Sequence, residues 1–387
     1  MKKIIICAGL CVFLLASCDD IFKDTVEIEF RSLYSEIQDL PAFSELILTI
    51  DGKDVKAQNL SSTGGEWKVL DITKIEGSRV KAIVDHASTD SFPFAKSFAG
   101  TVTQSDGSYV VDLQLSETAI IVPTYVSSST NYEIKHFPDI NGTISTDKIV
   151  HTADNFGFDF DPYGRLITAG TGTPNQLNRS LNYTNTTNLG TVNGTTGGIA
   201  YNDGMIYFTI NTGSNIGSNK DLVSLAATAT SWTSSVQTPV ITVNLNAYTP
   251  VAVYKDDGKT FAFAAESGTA TLVKFNVKTG IQVVGTSFSF SPNNIQDLKI
   301  IRDRLYILFT DTIGSLSLLA STDSKLESLT GTLPPGRVKQ IVGWDDDSFY
   351  VLIDDGSTTN IAIVRILTGA DGAISVGTIL NATAGSF

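Results

Sequence analysis

One pattern occurs five times in the last two-thirds of the chain, at residues 156–167, 199–208, 251–263, 298–309 and 341–353. Each copy is an apolar strand, an acidic or glycine-bearing turn, and a second strand rich in aromatic and branched residues. Aligned on the turns at Gly164, Gly204, Gly258, Asp303 and Asp347, successive copies lie 40, 54, 45 and 44 residues apart. Three residues past each turn stands a large apolar side chain: Ile167, Tyr207, Phe261, Tyr306 or Tyr350. A period in the forties made only of strands matches four short strands and their turns, the content of one β-propeller blade. Such a blade hides its faces only against its neighbours, so the recurring aromatics are read as packing between blades. A linear β-solenoid repeats over a shorter period and fits less well.

From residue 123 to 387 the remaining length holds six blades, with five as the rival count. Residues 132–137 and 142–147 read as outer strands of a blade without a start of its own. If residues 378–387 supply its inner strand, the two ends of the chain close the ring.

Ahead of the repeats, residues 44–122 read as a small sandwich. Runs at 46–50, 67–70, 79–84, 98–102 and 109–113 alternate apolar with polar residues, and Asp51-Gly52 and Asp106-Gly107 mark tight hairpins. The number and spacing of strands fit an immunoglobulin-like module, although the Cys…Trp…Cys hallmark of antibody domains is missing. Trp67 is assigned to its core. The fold class is therefore all-β, a sandwich followed by a propeller.

The N-terminus carries an address. Lys2-Lys3 precede twelve apolar residues, 4–15, too few to span a bilayer, and Leu15-Ala16-Ser17-Cys18 follows. Those four residues resemble a bacterial lipobox, which implies removal of residues 1–17 and acylation of the Cys18 thiol with palmitate-type chains. Residues 18–43 then form a tether. Asp19-Asp20 directly after the cysteine resemble either the inner-membrane retention signal of enteric-type bacteria or the export signal toward the outer membrane and cell surface of Bacteroidetes and some spirochaetes, and the string Cys18-Asp19-Asp20-Ile21-Phe22 is more similar to the second. All three cysteines lie within the first eighteen residues, so the processed chain has no disulfide and no thiol for catalysis.

A formal net charge of −13 removes any case for a nucleic-acid groove. His86, His136 and His151 are the only histidines and lack metal-ligand spacing, so a transition-metal site has no support. Asp159-Phe-Asp161-Pro-Tyr-Gly164 partly matches a calcium loop, but Tyr163 stands at the third ligand position; this turn and the acidic 256–258 and 345–347 are read as hairpin chemistry. A sharper series is Asn211, Glu266, Asp311 and Asp354, seven or eight residues past four of the five turns. Propeller geometry would array these oxygens around one rim, toward a cation such as Ca²⁺ or toward sugar hydroxyls, and no other cofactor is expected. Each is followed within three residues by glycine (Gly213, Gly268, Gly314, Gly356), which suits a turn equally well. No nucleophile elbow or phosphate loop is present.

Taken together, the lipobox, tether, sandwich and repeats resemble bacterial surface lipoproteins that carry an immunoglobulin-like module and a β-propeller. That resemblance implies a membrane-anchored envelope protein, non-catalytic, which meets a protein or glycan partner through rim loops. Two alternatives stand beside it: a carbohydrate-active hydrolase or lyase, or cation-dependent enzyme, using acids from several blades, and a periplasm-facing assembly scaffold.

Overall fold

The computed structural model describes residues 24–31, 41–87, 92–126, 131–152, 156–170, 175–192, 195–211, 221–226, 250–265, 271–290, 294–321, 324–354 and 360–383. Apart from one 3₁₀ turn, Ile72–Lys74, the regular structure of these residues is β-strand. Two compact units divide the chain: Met1–Ser91 with Lys96–Ser116, and Phe92–Ala95 with Glu117–Phe387.

The first unit contains β1 (Asp24–Arg31), β2 (Phe43–Ile50), β3 (Lys53–Lys56), β4 (Asn59–Ser61), β5 (Gly64–Val69), β6 (Arg79–Val84), β7 (Ala95–Ser105, from Lys96 on) and β8 (Ser108–Asp112); β9 (Gln114–Thr118) pairs β7 and passes after Ser116 into the second unit. Hydrogen bonding runs in the order β3-β2-β6-β7-β8-β1-β5-β4. Besides β9, strand β7 serves two neighbours, pairing Ser97–Thr101 with β6 and Val102–Ser105 with β8. The change of partner falls between Thr101 and Val102, just past Gly100, where a Cβ would lie 2.3 Å from the Asp112 carbonyl oxygen. At the β2–β3 hairpin Asp51 and Gly52 both take left-handed φ, 50° and 73°, as a two-residue turn of this twist requires. Trp67 is fully buried, in the core where its sequence context put it.

Residues 24–31 fell within the expected tether, yet they form β1, antiparallel to β5 and parallel to β8. The cause is a period of two: Val26, Ile28 and Phe30 turn inward while Glu27 and Glu29 stay in water.

The second unit is a succession of antiparallel meanders. The first holds β10 (Ile120–Val126), β11 (Asn131–Phe137) and β12 (Ile149–Thr152); the second β13 (Phe156–Phe160), β14 (Leu166–Gly170), β15 (Asn175–Ser180) and β16 (Thr186–Val192). A third contains β17 (Thr195–Asn202), β18 (Met205–Asn211) and β19 (Asp221–Ala226); a fourth β20 (Val251–Asp256), β21 (Lys259–Ala265), β22 (Thr271–Asn276) and β23 (Gln282–Ser289). Two more, β24 (Ile295–Ile301) to β27 (Glu327–Thr330) by way of β25 (Arg304–Phe309) and β26 (Ile313–Ser317), and β28 (Arg337–Asp345), β29 (Ser348–Asp354), β30 (Asn360–Thr368) and β31 (Ile374–Thr383), join through a parallel β27–β31 pair. The five repeated turns are the first hairpins of meanders two to six, closed by Phe160↔Leu166, Asn202↔Met205, Asp256↔Lys259, Ile301↔Arg304 and Asp345↔Ser348.

Core clusters fall between consecutive meanders rather than within them. One joins Ile167, Leu177 and Leu189 to Ile199 and Phe208; others link Tyr207 to Phe275, Phe263 to Leu305, and Tyr306 to Phe349. The recurring aromatics therefore pack sheet on sheet. The opening strands also pack in sequence, β13 on β17, β17 on β20, β20 on β24 and β24 on β28, and β28 packs on β10. Between the first two meanders, the His136 ring stacks on Tyr183 with Nδ1 and the hydroxyl 2.5 Å apart.

Closure differs from the expected scheme. The first meander owns its opening strand, β10, so the expected unit boundary at 122/123 cuts through a strand paired with β11 from Ile120 to Val126. β31 lies beside β30 as the last strand of its own sheet, not in the first one. The outer strand of the first sheet falls at 149–152 rather than 142–147.

Candidate functional site

Opening strands of a meander bury both faces, so a charged residue there must find a partner. Asp159 of β13 does so three ways. Its Oδ1 accepts from the Phe160 amide at 2.8 Å, Oδ2 accepts from the Tyr201 amide of β17 at 2.8 Å, and the carboxylate pairs with the Lys299 ammonium of β24. Lys299 also lies over the rings of Phe158 and Trp344, at 5.9 and 5.7 Å. Trp344 of β28 meets Phe160 edge-to-face at 5.2 Å. Strands β13, β24 and β28 therefore converge on one buried ammonium.

Asp297 repeats the Asp159 device. Its Oδ1 accepts from the next amide, Leu298, at 2.9 Å, and its Oδ2 from Ile341 of the neighbouring opening strand at 2.8 Å. Burial pushes its carboxyl up to about 6, opposed by the Lys299 charge and the two amides, and the Asp159 charge adds to the rise. Where Trp344 and Asp346 come alongside the first meander, their amides donate to Thr118 Oγ1 (3.0 Å) and Glu117 Oε1 (3.1 Å). Elsewhere the strands approach through glycine: a Cβ on Gly198 would lie 2.5 Å from Pro250 Cα, and one on Gly343 2.6 Å from the Ala119 carbonyl oxygen. These contacts fasten one sheet to the next.

The acidic turn 159–164 is hairpin chemistry, as its sequence indicated. Asp161 Oδ1 accepts from the amides of Tyr163 (3.0 Å) and Arg165 (2.9 Å), and Oδ2 pairs with Arg165 Nε. Burial raises the Asp161 carboxyl, with Arg165 and the amides acting against the rise. Both carboxylates of the partial calcium match are thus held by the protein's own donors. Among the described residues no cluster of His, Cys, Asp and Glu is arranged to hold a metal ion.

The rim series divides. Glu266 and Cys18 lie outside the described residues, and Asn211 ends β18 with its side chain likewise outside them. Asp311 and Asp354 come to the same edge of two adjacent meanders. Asp311 sits in the β25–β26 turn and lines a cavity of about 280 Å³ with Thr312, Leu329, the segment 331–336 and Val338. The Val338 amide donates to the Thr310 carbonyl at 3.0 Å, and Gly336 packs against the Asp354 carbonyl. Asp354 ends β29 with Oδ2 3.4 Å from Lys339 Nζ, outside the cavity wall.

Sequence reasoning missed Lys299, Trp344 and the 331–336 segment. A signal existed for the first: Asp297 and Lys299 are the charged residues of a largely buried strand, Ile295–Ile301, and charge inside a buried strand implies a partner.

No family model matches the chain, and no curated protein matches it. Among solved structures it is similar to an auxiliary nutrient binding protein from Bacteroides ovatus (14% identity, 87% of this chain and 79% of that one, TM-score 0.43). It is also similar to a functionally unknown protein from Desulfotomaculum acetoxidans (12%, 67% and 79%, TM-score 0.43) and to a hypothetical selenium-binding protein from Sulfolobus tokodaii (8%, 69% and 91%, TM-score 0.45).

Proposed function

We propose that this chain is a lipid-anchored binding protein of the cell envelope, non-catalytic, whose second unit is a six-bladed β-propeller taking a small ligand at the cavity beside Asp311. Six opening strands, β10, β13, β17, β20, β24 and β28, each begin a meander; contacts run from β13 through β17, β20, β24 and β28 to β10, and His136–Tyr183 links the first two meanders. That is the connectivity of a closed ring. In such a ring the β25–β26 turn and the β27–β28 connection share a face, opposite the acidic first hairpins.

The observation that carries the binding reading is the cavity itself, a concave site with a carboxylate, hydroxyls and an apolar wall. A hydrolase or lyase has one observation in its favour, the raised carboxyl of Asp297. Against it, both Asp297 oxygens are engaged by amides and Asp159 by two amides and Lys299, which leaves neither poised to exchange protons with a substrate.

Anchoring rests on Leu15-Ala16-Ser17-Cys18, and the first unit, read as an immunoglobulin-like module, then spaces the ring from an outer membrane, on its cell-surface side. Two measurements test the proposal. Metabolic labelling with an alkyne fatty acid should tag the wild type and not Cys18→Ser, and protease shaving of intact cells should release the ectodomain; an untagged chain refutes the anchor and a protected one the surface position. Calorimetric screening of the full chain in detergent should find a ligand whose binding Asp311→Ala weakens; a ligand indifferent to that change refutes the site.

A further inference from the structure

We propose that the Asp311 cavity selects an uncharged, hydroxyl-rich ring, a neutral monosaccharide unit, and rejects acidic sugars; this rests on the binding reading above. The argument starts with the wall. Its ten residues are Asp311, two threonines, and leucine, proline, glycine and valine, without a lysine, arginine or histidine. An anion entering would give up water beside Asp311 with no lysine, arginine or histidine among the ten wall residues to receive it, in a chain of net charge −13. A neutral polyol has the opposite fit. Its hydroxyls donate to the Asp311 carboxylate, and hydrogen bonds to an ionised acceptor are about twice as strong as neutral ones. Thr312 and Thr332 offer hydroxyls that donate or accept, while Leu333, Pro334 and Pro335 present carbon surface to the ring's C–H face. A volume of 280 Å³ sits at the small end of the roughly 300–1,000 Å³ of ligand sites, which suits one ring rather than a nucleotide or a long chain.

The wall is also pre-formed, so little ordering opposes binding. The segment 331–336 begins and ends on glycines with φ of 99° and 139°, a range other residues rarely adopt. Gly331 packs on Val376 and Gly336 on the Asp354 carbonyl, where a Cβ would come to 2.8 Å. Thr330 Oγ1 donates to the Ile374 carbonyl at 3.0 Å, and Pro334-Pro335 fix φ between those anchors. On the other side the Phe309 amide donates to the Thr312 carbonyl at 2.9 Å and holds the Asp311 turn.

The test is isothermal calorimetry of the full chain in detergent against methyl glucoside, methyl galactoside, methyl mannoside, N-acetylglucosamine, glucosamine, glucuronate and glucose 6-phosphate. At least one neutral sugar should bind, Asp311→Asn should weaken it about tenfold, and Thr332→Val should weaken it less while leaving thermal stability unchanged. Glucuronate and glucose 6-phosphate should give no heat at the concentrations that saturate the neutral sugar. Should Asp311→Asn fail to fold, Thr332→Val together with the charge series still decides. Binding of an acidic sugar, or of glucosamine alone, at this cavity overturns the selectivity and leaves the binding reading standing. Silence from every compound here, and from the broader screen, overturns both.

Discussion

Replacing Asp159 by alanine is the sharpest perturbation the second unit offers. The carboxylate holds the Lys299 ammonium and the amides of Phe160 and Tyr201, and it ties β13 to both β24 and β17. Its loss strands a cation whose side chain is 8% exposed. Breaking a buried pair from one side costs roughly 3–5 kcal/mol, and a buried amide left without an acceptor roughly 1–3 kcal/mol more. Lys299 keeps weaker partners, the Phe158 carbonyl at 3.4 Å and two aromatic faces. A net loss of about 4 kcal/mol is therefore expected, which for a unit of this size lowers Tm by about 8 °C. Lys299→Met should cost less, because the two amides still satisfy Asp159. The Asp159→Asn/Lys299→Met double variant should be more stable than the sum of its parts by about 2 kcal/mol, since removing both charges removes the desolvation cost along with the attraction. Urea unfolding followed by the fluorescence of Trp344, whose ring lies beside Lys299, supplies the assay. A loss under about 1 kcal/mol for Asp159→Ala, or strict additivity in the cycle, would refute the reasoning.

Three further perturbations probe other parts of the account. Asp297, raised from 3.8 to about 6, keeps a proton in the folded state that the unfolded chain has released; its stabilising contribution is full below pH 4 and is lost as pH rises through 6, by about 3 kcal/mol, so Asp297→Asn should flatten the stability–pH curve over that window in urea titrations. Gly198→Ala should lose about 1–3 kcal/mol by overpacking against the Pro250 backbone, whereas Gly258→Ala, with open space around it and φ of 71°, should lose only the ~1–2 kcal/mol of a left-handed side chain; calorimetric unfolding separates the two. Lys274 lies over the rings of Tyr254, Phe261 and Phe263, donates to the Leu318 carbonyl at 3.1 Å, and is driven toward its neutral form by burial. Since Tyr254 also donates to that carbonyl, Lys274→Met should stay within about 1 kcal/mol of wild type at pH 7 in urea unfolding, and the wild type alone should gain stability toward alkaline pH.

How much of this was legible in the chain follows from how local each feature is. The five hairpins were visible because Asp203-Gly204 and Asp257-Gly258 write their left-handed turns into the sequence, with φ of 47° and 77°, then 45° and 71°. Strand β10 escaped notice because Ser127-Ser128-Ser129-Thr130 follows it, without the acid–glycine mark of the other first hairpins. β1 was mistaken for tether since its three inward residues make a stripe too short to stand out beside acidic neighbours. The Asp159–Lys299 pair joins residues 140 apart; charge inside a strand announces that a partner exists, but nothing local says which residue it is. Asp311 was singled out by its place after the turn; the proline–glycine wall beside it, from the connection between β27 and β28, carried no such mark.

Closure of the second unit is the central claim of the proposed ring, and one amide reports on it directly. The Trp344 N–H donates to Thr118 Oγ1, 226 residues away in sequence, at the end of β9 and two residues before β10, at the seam where β28 meets the first meander. Hydrogen exchange of the Trp344 amide should be slow in the wild type, near the limit set by global unfolding, and faster in Thr118→Val, which keeps the shape and removes the acceptor. Rapid exchange in the wild type, or equal rates in both proteins, would contradict a ring closed at that seam.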